Sequence, residues 1–299
     1  MDFIISFVKL GIEGLNINRK AFTIFNVSIY WYALIITSGV ILAAVFCMLN
    51  AKRFGLTQDN VLDSMIYGVP AGIIGARLYY VLFNIDEINS FWDIFAIREG
   101  GLAIYGGVIA AGITGVIFCK IKKINAFSVF DLGGLGFLIG QAVGRWGNFF
   151  NGEVYGGPTS LPWGMTIYDK QNAILAAENV HPLFLYESLW NILGFILIYL
   201  FVRLYKKRFP GQAALLYVIW YGAGRGFLEG LRNPAFNLRL LSFNISQVLG
   251  YASAVTALCI FVYFTFIHGF ICRKKADTTT DTDAAVEIKA GEVSDAAVD

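Results

Sequence analysis

Apolar residues in this chain come in long runs separated by short polar stretches. A hydrocarbon core about 30 Å thick needs roughly 20 mostly apolar residues per helix. The runs predict helices at 29–49, 61–83, 102–119, 127–144, 183–203, 211–231 and 245–268. The pattern is therefore that of an all-α, polytopic integral membrane protein with about seven transmembrane helices. The fourth run is weak by helix propensity, because Gly133, Gly134, Gly136, Gly140 and Gly144 interrupt it. Membranes tolerate such glycines, which let helices approach closely. Gly68 with Gly72, Gly226 with Gly230, and Gly107 with Ala111 add small-xxx-small spacings, read as helix packing. The first 28 residues are predicted as an amphipathic segment on the outer surface. Residues 1–11 lack a basic stretch and a small-residue cleavage site, so no signal peptide is expected. No internal repeat is evident, and an inverted-repeat transporter gains no support.

Lys and Arg counts orient the helices. One set of loops, with the tail's Lys289, holds thirteen, including Lys52, Arg53, Lys120, Lys122, Lys123, Arg203, Arg273, Lys274 and Lys275. The other side holds seven: Lys9, Arg19, Lys20, Arg98, Lys170, Arg232 and Arg239. The positive-inside rule then puts the N-terminus outside and the C-terminus in the cytoplasm. Residues 276–299 carry seven acids, one base and no aromatic residue. They are expected to form a disordered acidic cytoplasmic tail behind a transmembrane domain at 1–275. Without the tail the body holds 22 bases and 14 acids. That balance suits anionic lipid, and basic cytoplasmic loops alone explain it equally well.

Composition narrows the function classes. Apolar residues make up 57% and charged residues 15%, with a mean hydropathy of +0.62. A soluble fold of this size cannot bury that much apolar surface. Cys47, Cys119, Cys259 and Cys272 show no CxxC spacing, which argues against a disulfide scaffold or zinc ribbon. The two histidines, His181 and His268, cannot build a multi-His metal site. A net charge of +2 with no long basic stretch speaks against a nucleic-acid partner.

Three arginines lie in or at the ends of apolar runs: Arg77, Arg145 and Arg225. Burying each in a bilayer is costly, so each needs a partner or a purpose. The predicted topology puts all three in the outer half of the membrane. A guanidinium fork matches phosphate, and an outer-leaflet phospholipid headgroup is an available ligand. Arg225 and Glu229 are spaced i, i+4 and can instead neutralise each other. Arg77 can pair with Asp63 or another acid, or snorkel. Arg145 opens the densest polar stretch, with Asn148, Asn151, Glu153 and Gly156 at a glycine-rich helix exit. Glu187 is a second buried acid able to neutralise an arginine. His181, before a proline, reads as a hydrogen-bonding residue. Tyr105, Trp92, Trp163 and Trp190 fit an aromatic belt, and Asp131 fits a structural partner for a base or for backbone donors.

The stretch GRWGNFFNGEVYG closely resembles the signature of prolipoprotein diacylglyceryl transferases, G-R-x-G-N-F-x-N-G-E-x-x-G. IYWYAL, GGLAIYGGVI, HPLFLYES and YGAGRGFLEGLRNP follow the same family's order, so the resemblance spans about 20–270. It implies a bacterial cytoplasmic (inner) membrane enzyme. Its substrates would be phosphatidylglycerol and preprolipoprotein signal peptides with a lipobox cysteine, and it would use no metal or organic cofactor. The diacylglyceryl group would pass to the cysteine thiol, leaving a thioether and sn-glycerol 1-phosphate. The resemblance assigns Arg145 and Arg225 to the headgroup and leaving phosphate. It assigns Tyr32, Asn148, Asn151, Glu153, Gly156, Tyr221, Glu229 and Arg232 to substrate binding, and Arg77 is added to them as a phosphate-matching guanidinium of the outer half. Many members carry His where this chain has Tyr105. Tyrosine, with an ordinary pKa near 10, is a poor base at neutral pH. Tyr105 is therefore expected to orient substrate while nearby arginines favour the thiolate.

Two other classes fit less well. A binder of anionic lipid or solute would use the same arginines but yield no product. An intramembrane protease needs a GxSG nucleophile or two membrane aspartates, and only Ser38-Gly39 and Asp131 come near.

Overall fold

The computed structural model describes residues 2–88, 90–97, 100–172, 174–205, 209–233, 239–240 and 243–268. Arg98, Lys206, Lys207, Arg208, Cys272 and the acidic stretch 276–299 lie outside the described residues. Seven long α-helices are described: α1 (Trp31–Asn50), α2 (Gln58–Phe83), α3 (Ile104–Lys122), α4 (Ala126–Asn151), α5 (Leu183–Leu204), α6 (Gln212–Glu229) and α7 (Ile245–Val262). The last continues as a π-helical segment over Tyr263–His268. Six of them, all but α6, are long and apolar enough to cross a membrane. The protein is therefore a multi-pass membrane protein.

The chain is not purely helical. Six strands precede α5: β1 (Asp2–Phe7), β2 (Ile12–Asn18), β3 (Lys20–Ile24), β4 (Val27–Tyr30), β5 (Met165–Asp169) and β6 (Ile174–Val180). A short pair, β7 (Arg239–Leu240) with β8 (Phe243–Asn244), leads into α7. An antiparallel sheet runs in the order β2-β1-β5-β6, and β3 pairs with β4. The N-terminal segment, expected to be amphipathic, is built mainly of strands. Phe3 and Ile5, at alternate positions of β1, are buried against Met165, Ile167, Ala177, Val180 and Phe184. That gives β1 a protein core, while Val8, Leu10, Ile12, Phe22, Ile24 and Phe25 remain exposed.

Helix α4 is the centre of the bundle, packing on α1, α5 and α6. Its glycines explain the packing. A Cβ at Gly147 would meet Tyr32 Cδ2 at 2.8 Å, and one at Gly136 would meet Cys47 Sγ at 2.8 Å. Helices α2 and α3 meet where a Cβ at Gly75 would collide with Ala110 and one at Gly106 with Tyr79. A Cβ at Gly72 would meet the Gly107 carbonyl at 3.5 Å and Ala111 at 3.6 Å, whereas one at Gly68 would meet nothing within 4 Å. Asp131, only 1% exposed, accepts from Gly211 N at 2.9 Å and Ala214 N at 2.8 Å. It fixes the start of α6 to α4, and its charge suits the positive end of that helix. Trp190 of α5 and Trp220 of α6 stack at 4.4 Å, each indole N–H donating to the other's backbone carbonyl. Trp190 therefore belongs to a helix–helix clasp rather than an aromatic belt.

Candidate active site

Helix α4 does not stop at 144 but runs to Asn151, so Arg145 and Asn148 project from its last two turns. Arg145 Nε contacts Glu187 Oε2 at the start of α5. Glu187 Oε1 in turn lies 3.9 Å from Arg225 Nη1 on α6. Arg225 Nη2 reaches Glu229 Oε2 at 2.8 Å, and Arg232 Nη1 reaches the same oxygen at 3.4 Å. Three guanidiniums and two carboxylates thus form a chain across three helix ends, with one positive charge in excess. Glu187 and Glu229 are buried, at 7% and 2% exposure. Removing carboxylates from water costs several kcal/mol each unless they are paired, and here each faces two arginines. Glu229 therefore neutralises Arg225, but it shares itself with Arg232, and Arg225 also faces Glu187.

The signature residues form a second polar knot beside this chain. Asn148 Nδ2 and Asn151 Nδ2 both donate to Glu153 Oε1, at 3.2 and 3.1 Å. Gly152, at φ +64°, turns the chain back after α4, and Glu153 N closes on Asn148 O at 3.1 Å. A glycine is favoured there because a side chain resists the left-handed region. Arg19 Nε and Nη2 hold the Asn151 carbonyl at 3.0 and 2.6 Å, and its guanidinium lies over the Phe3 ring. The N-terminal sheet thereby grips the end of α4. Gly156 N donates to His181 O at 2.9 Å, and Gly157 N donates to Leu231 O at 2.8 Å. These bonds tie the signature loop to the start of α5 and the end of α6.

A cavity of about 520 Å³ opens between α1, α2 and α4. Its wall is apolar over most of its length, with Val40, Ala44, Met65, Leu132 and Phe137 among the lining residues. One end is marked by Tyr32, Arg145, Asn148 and Tyr221. Along α4 it runs from Asn148 to Val129, which is about 28 Å at 1.5 Å per residue. Arg145 and Tyr221 also line a small cleft with Glu187, Asn191 and Arg225. The apolar slot and the charged chain therefore meet at Arg145 and Tyr221.

Not every expected site residue joins them. Arg77 is buried and donates to the carbonyls of Asp93, Ile94, Gly100 and Gly101. It secures the segment between α2 and α3, and Asp63 instead pairs with Lys122 at 2.9 Å. Tyr105, 42% exposed, lines neither cavity, although its neighbour Ile104 lines the larger one. His181 shares a hydrogen bond with the Tyr186 hydroxyl at 3.2 Å, and Trp163 Nε1 donates to that hydroxyl at 2.6 Å. It is a loop-fixing residue, and burial pushes its pKa below the ordinary 6.5. Sequence reasoning missed the grip of Arg19 and the Trp190–Trp220 clasp. The alternation of Phe3 and Ile5 signals a strand, but nothing local signals its pairing with β5.

Residues 19–263 match the family model described as prolipoprotein diacylglyceryl transferase. The chain is 40% identical over 249 residues to the phosphatidylglycerol–prolipoprotein diacylglyceryl transferase of Clostridioides difficile, covering 83% of this chain and 96% of that one. It is 43% identical over 237 residues to the Finegoldia magna protein of the same name, covering 79% and 91%. The Enterococcus faecalis protein of that name is 40% identical over 256 residues, covering 83% and 90%.

Proposed function

The chain belongs to the prolipoprotein diacylglyceryl transferase family, and we propose that it moves the sn-1,2-diacylglyceryl group of phosphatidylglycerol onto the lipobox cysteine of a preprolipoprotein. This is the first step of lipoprotein maturation. The observation that carries the reading is the junction at Arg145 and Tyr221, where an apolar slot opens on a charged cluster. A diacyl lipid needs that combination: tails along α1 and α4, phosphate at the guanidiniums.

In the reaction the cysteine sulfur attacks the glyceryl carbon that carries the phosphate. The new C–S bond forms as the C–O bond breaks, and the electron pair leaves with sn-glycerol 1-phosphate. The thiol's proton passes to the departing phosphate monoester or to solvent water, which balances the charge. Negative charge grows on the leaving phosphate, and guanidiniums already in place stabilise it without reorganising. Arg145 and Arg225 take that role. Glu187 holds the two at a fixed separation, and Glu229 with Arg232 supports Arg225 from behind. Asn148, Asn151 and Glu153 shape the headgroup end, Gly156 keeps the loop against α6, and Tyr32 and Tyr221 flank the phosphate. Tyr105 stands beside Ile104 at the rim and orients the incoming substrate. Arg77 acts indirectly, by holding the segment that leads to Tyr105.

The site lies at the outer face of the bacterial cytoplasmic (inner) membrane, where a signal peptide emerges. The excess of Lys and Arg on the opposite loops supports this orientation, with the N-terminus outside. We count α6 as the seventh span. Its arginine and glutamate lower its hydropathy, but their pairing lowers the cost of insertion.

The test is mass spectrometry of a lipobox-cysteine peptide incubated with the purified chain and phosphatidylglycerol. A diacylglyceryl mass gain on the cysteine, absent from a serine peptide, is expected. Binding of lipid with no adduct would instead identify a non-catalytic binder.

A further inference from the structure

Most glycines of α4 have a packing reason. A Cβ at Gly134 would meet Tyr217 at 3.1 Å, at Gly136 Cys47 at 2.8 Å, at Gly144 Ile36 at 3.1 Å, and at Gly147 Tyr32 at 2.8 Å. Gly133 has none, since a Cβ there meets nothing within 4 Å. A glycine in a helix interior costs about 1 kcal/mol relative to alanine, so an unpacked one needs another explanation. Gly68 and Gly112 also meet nothing, but neither lines the cavity. Among the described helical glycines, Gly133 is the one that lines the slot and would meet nothing within 4 Å, and Gly140, also on the slot, would meet only the Gly39 carbonyl at 3.9 Å.

Depth gives that position a meaning. Gly133 lies twelve residues before Arg145 on α4, about 18 Å along the axis. Ala44 also lines the slot, from α1, twelve residues beyond Tyr32. An extended acyl chain advances about 1.3 Å per methylene, from C–C bonds of about 1.5 Å. After allowance for the glycerol, a chain whose phosphate sits at Arg145 passes Gly133 at about its tenth to twelfth carbon.

We propose that Gly133 and Ala44 set the acyl-chain length the slot accepts, with small side chains leaving its deep half open to long-chain lipid. This inference rests on the proposed transfer reaction and on the placement of the phosphate at Arg145. Because the slot is bounded by packed helices, a branched side chain added there must displace lipid methylenes or strain the wall. Chains ending above that level never meet it.

The experiment compares dioctanoyl- and dioleoyl-phosphatidylglycerol as donors to the same cysteine peptide, in detergent, for wild type, Gly133→Leu, Ala44→Leu and Gly112→Leu. Product from the dioleoyl lipid should fall about 10-fold or more in Gly133→Leu and Ala44→Leu, the scale of overpacking by a few methylenes. Product from the dioctanoyl lipid should stay within about twofold, which reports that each variant is folded. Gly112→Leu should keep the wild-type ratio. An unchanged dioleoyl-to-dioctanoyl ratio in both slot variants overturns the inference and leaves the transferase reading standing. Loss of both lipids together in both variants also overturns it, by showing packing rather than chain length. Wild type that makes no product from either lipid removes the transferase reading and the inference together.

Discussion

Arg145 and Arg225, on different helices, share one carboxylate, that of Glu187. The sharing fixes the distance between two cations that would otherwise repel, through a carboxylate that is itself buried. Glu187→Gln should therefore harm both stability and reaction. Breaking a buried ion pair from one side typically costs about 3–5 kcal/mol. The figure should fall toward the lower end, since the arginine side chains are 24% and 20% exposed. Thermal unfolding in detergent reads the first effect. Turnover should drop about 100-fold, because misplaced charges stabilise a leaving phosphate poorly.

Gly156 tests whether the signature loop positions chemistry or merely connects helices. A Cβ there would meet His181 Cβ at 2.5 Å and the Leu231 carbonyl at 2.7 Å. Gly156→Ala must push the loop from the end of α6. Small displacements of positioning elements can cost about 100-fold in rate. The expected result is a large loss of turnover with a melting temperature close to wild type.

The Trp190–Trp220 clasp predicts a stability effect without a chemical one of its own. Trp220→Phe removes a donor to the Trp190 carbonyl while keeping an aromatic face. That carbonyl keeps its place in the α5 ladder, so losing the indole bond should cost about 0.5–1.5 kcal/mol. Trp190→Phe should cost a similar amount, and the double variant should cost less than the two added, as coupled residues do. Chemical or thermal unfolding of the three variants measures this.

The helical frame was legible in the apolar runs because a membrane helix needs an uninterrupted stretch of its own. Each of the seven runs corresponds to a helix. The fourth was cut short at 144 because Arg145, Asn148 and Asn151 look like a loop when read by hydropathy. They are helical because the helix end is where the charged site is built. The four-stranded sheet was not legible. Its central pair joins Ile5 to Ile167, far apart in sequence, and no local pattern announces such a partner. The five-membered charged chain was read in pieces: Arg225 with Glu229 by spacing, and Glu187 as a buried acid for an arginine not specified. That Arg77 spends its donors on backbone carbonyls depends on how the segment before α3 folds back, which its neighbours do not reveal.

His181 gives a pH dependence with a definite sign. Burial holds its pKa below the ordinary 6.5, so the folded loop keeps the ring neutral. As pH falls below about 6.5 the unfolded loop takes up a proton that the folded loop resists, and stability is lost. Hydrogen exchange at the Gly156 and Gly157 amides, normalised to amides of β1, should therefore speed up between pH 7.5 and 5.5. His181→Gln should abolish that change.

The central claim is that one site, with Arg145 at its junction, binds the lipid phosphate and stabilises its departure. The most direct measurement follows phosphatidylglycerol labelled in its terminal glycerol, with wild type and Arg145→Ala side by side. Wild type should release labelled glycerol phosphate in equal amount to the unlabelled diacylglyceryl gained by the peptide cysteine. The variant should release neither at a measurable rate while still unfolding cooperatively, at a lower temperature because Glu187 loses a partner. Equal release from wild type and Arg145→Ala, or label appearing on the cysteine, would contradict the account.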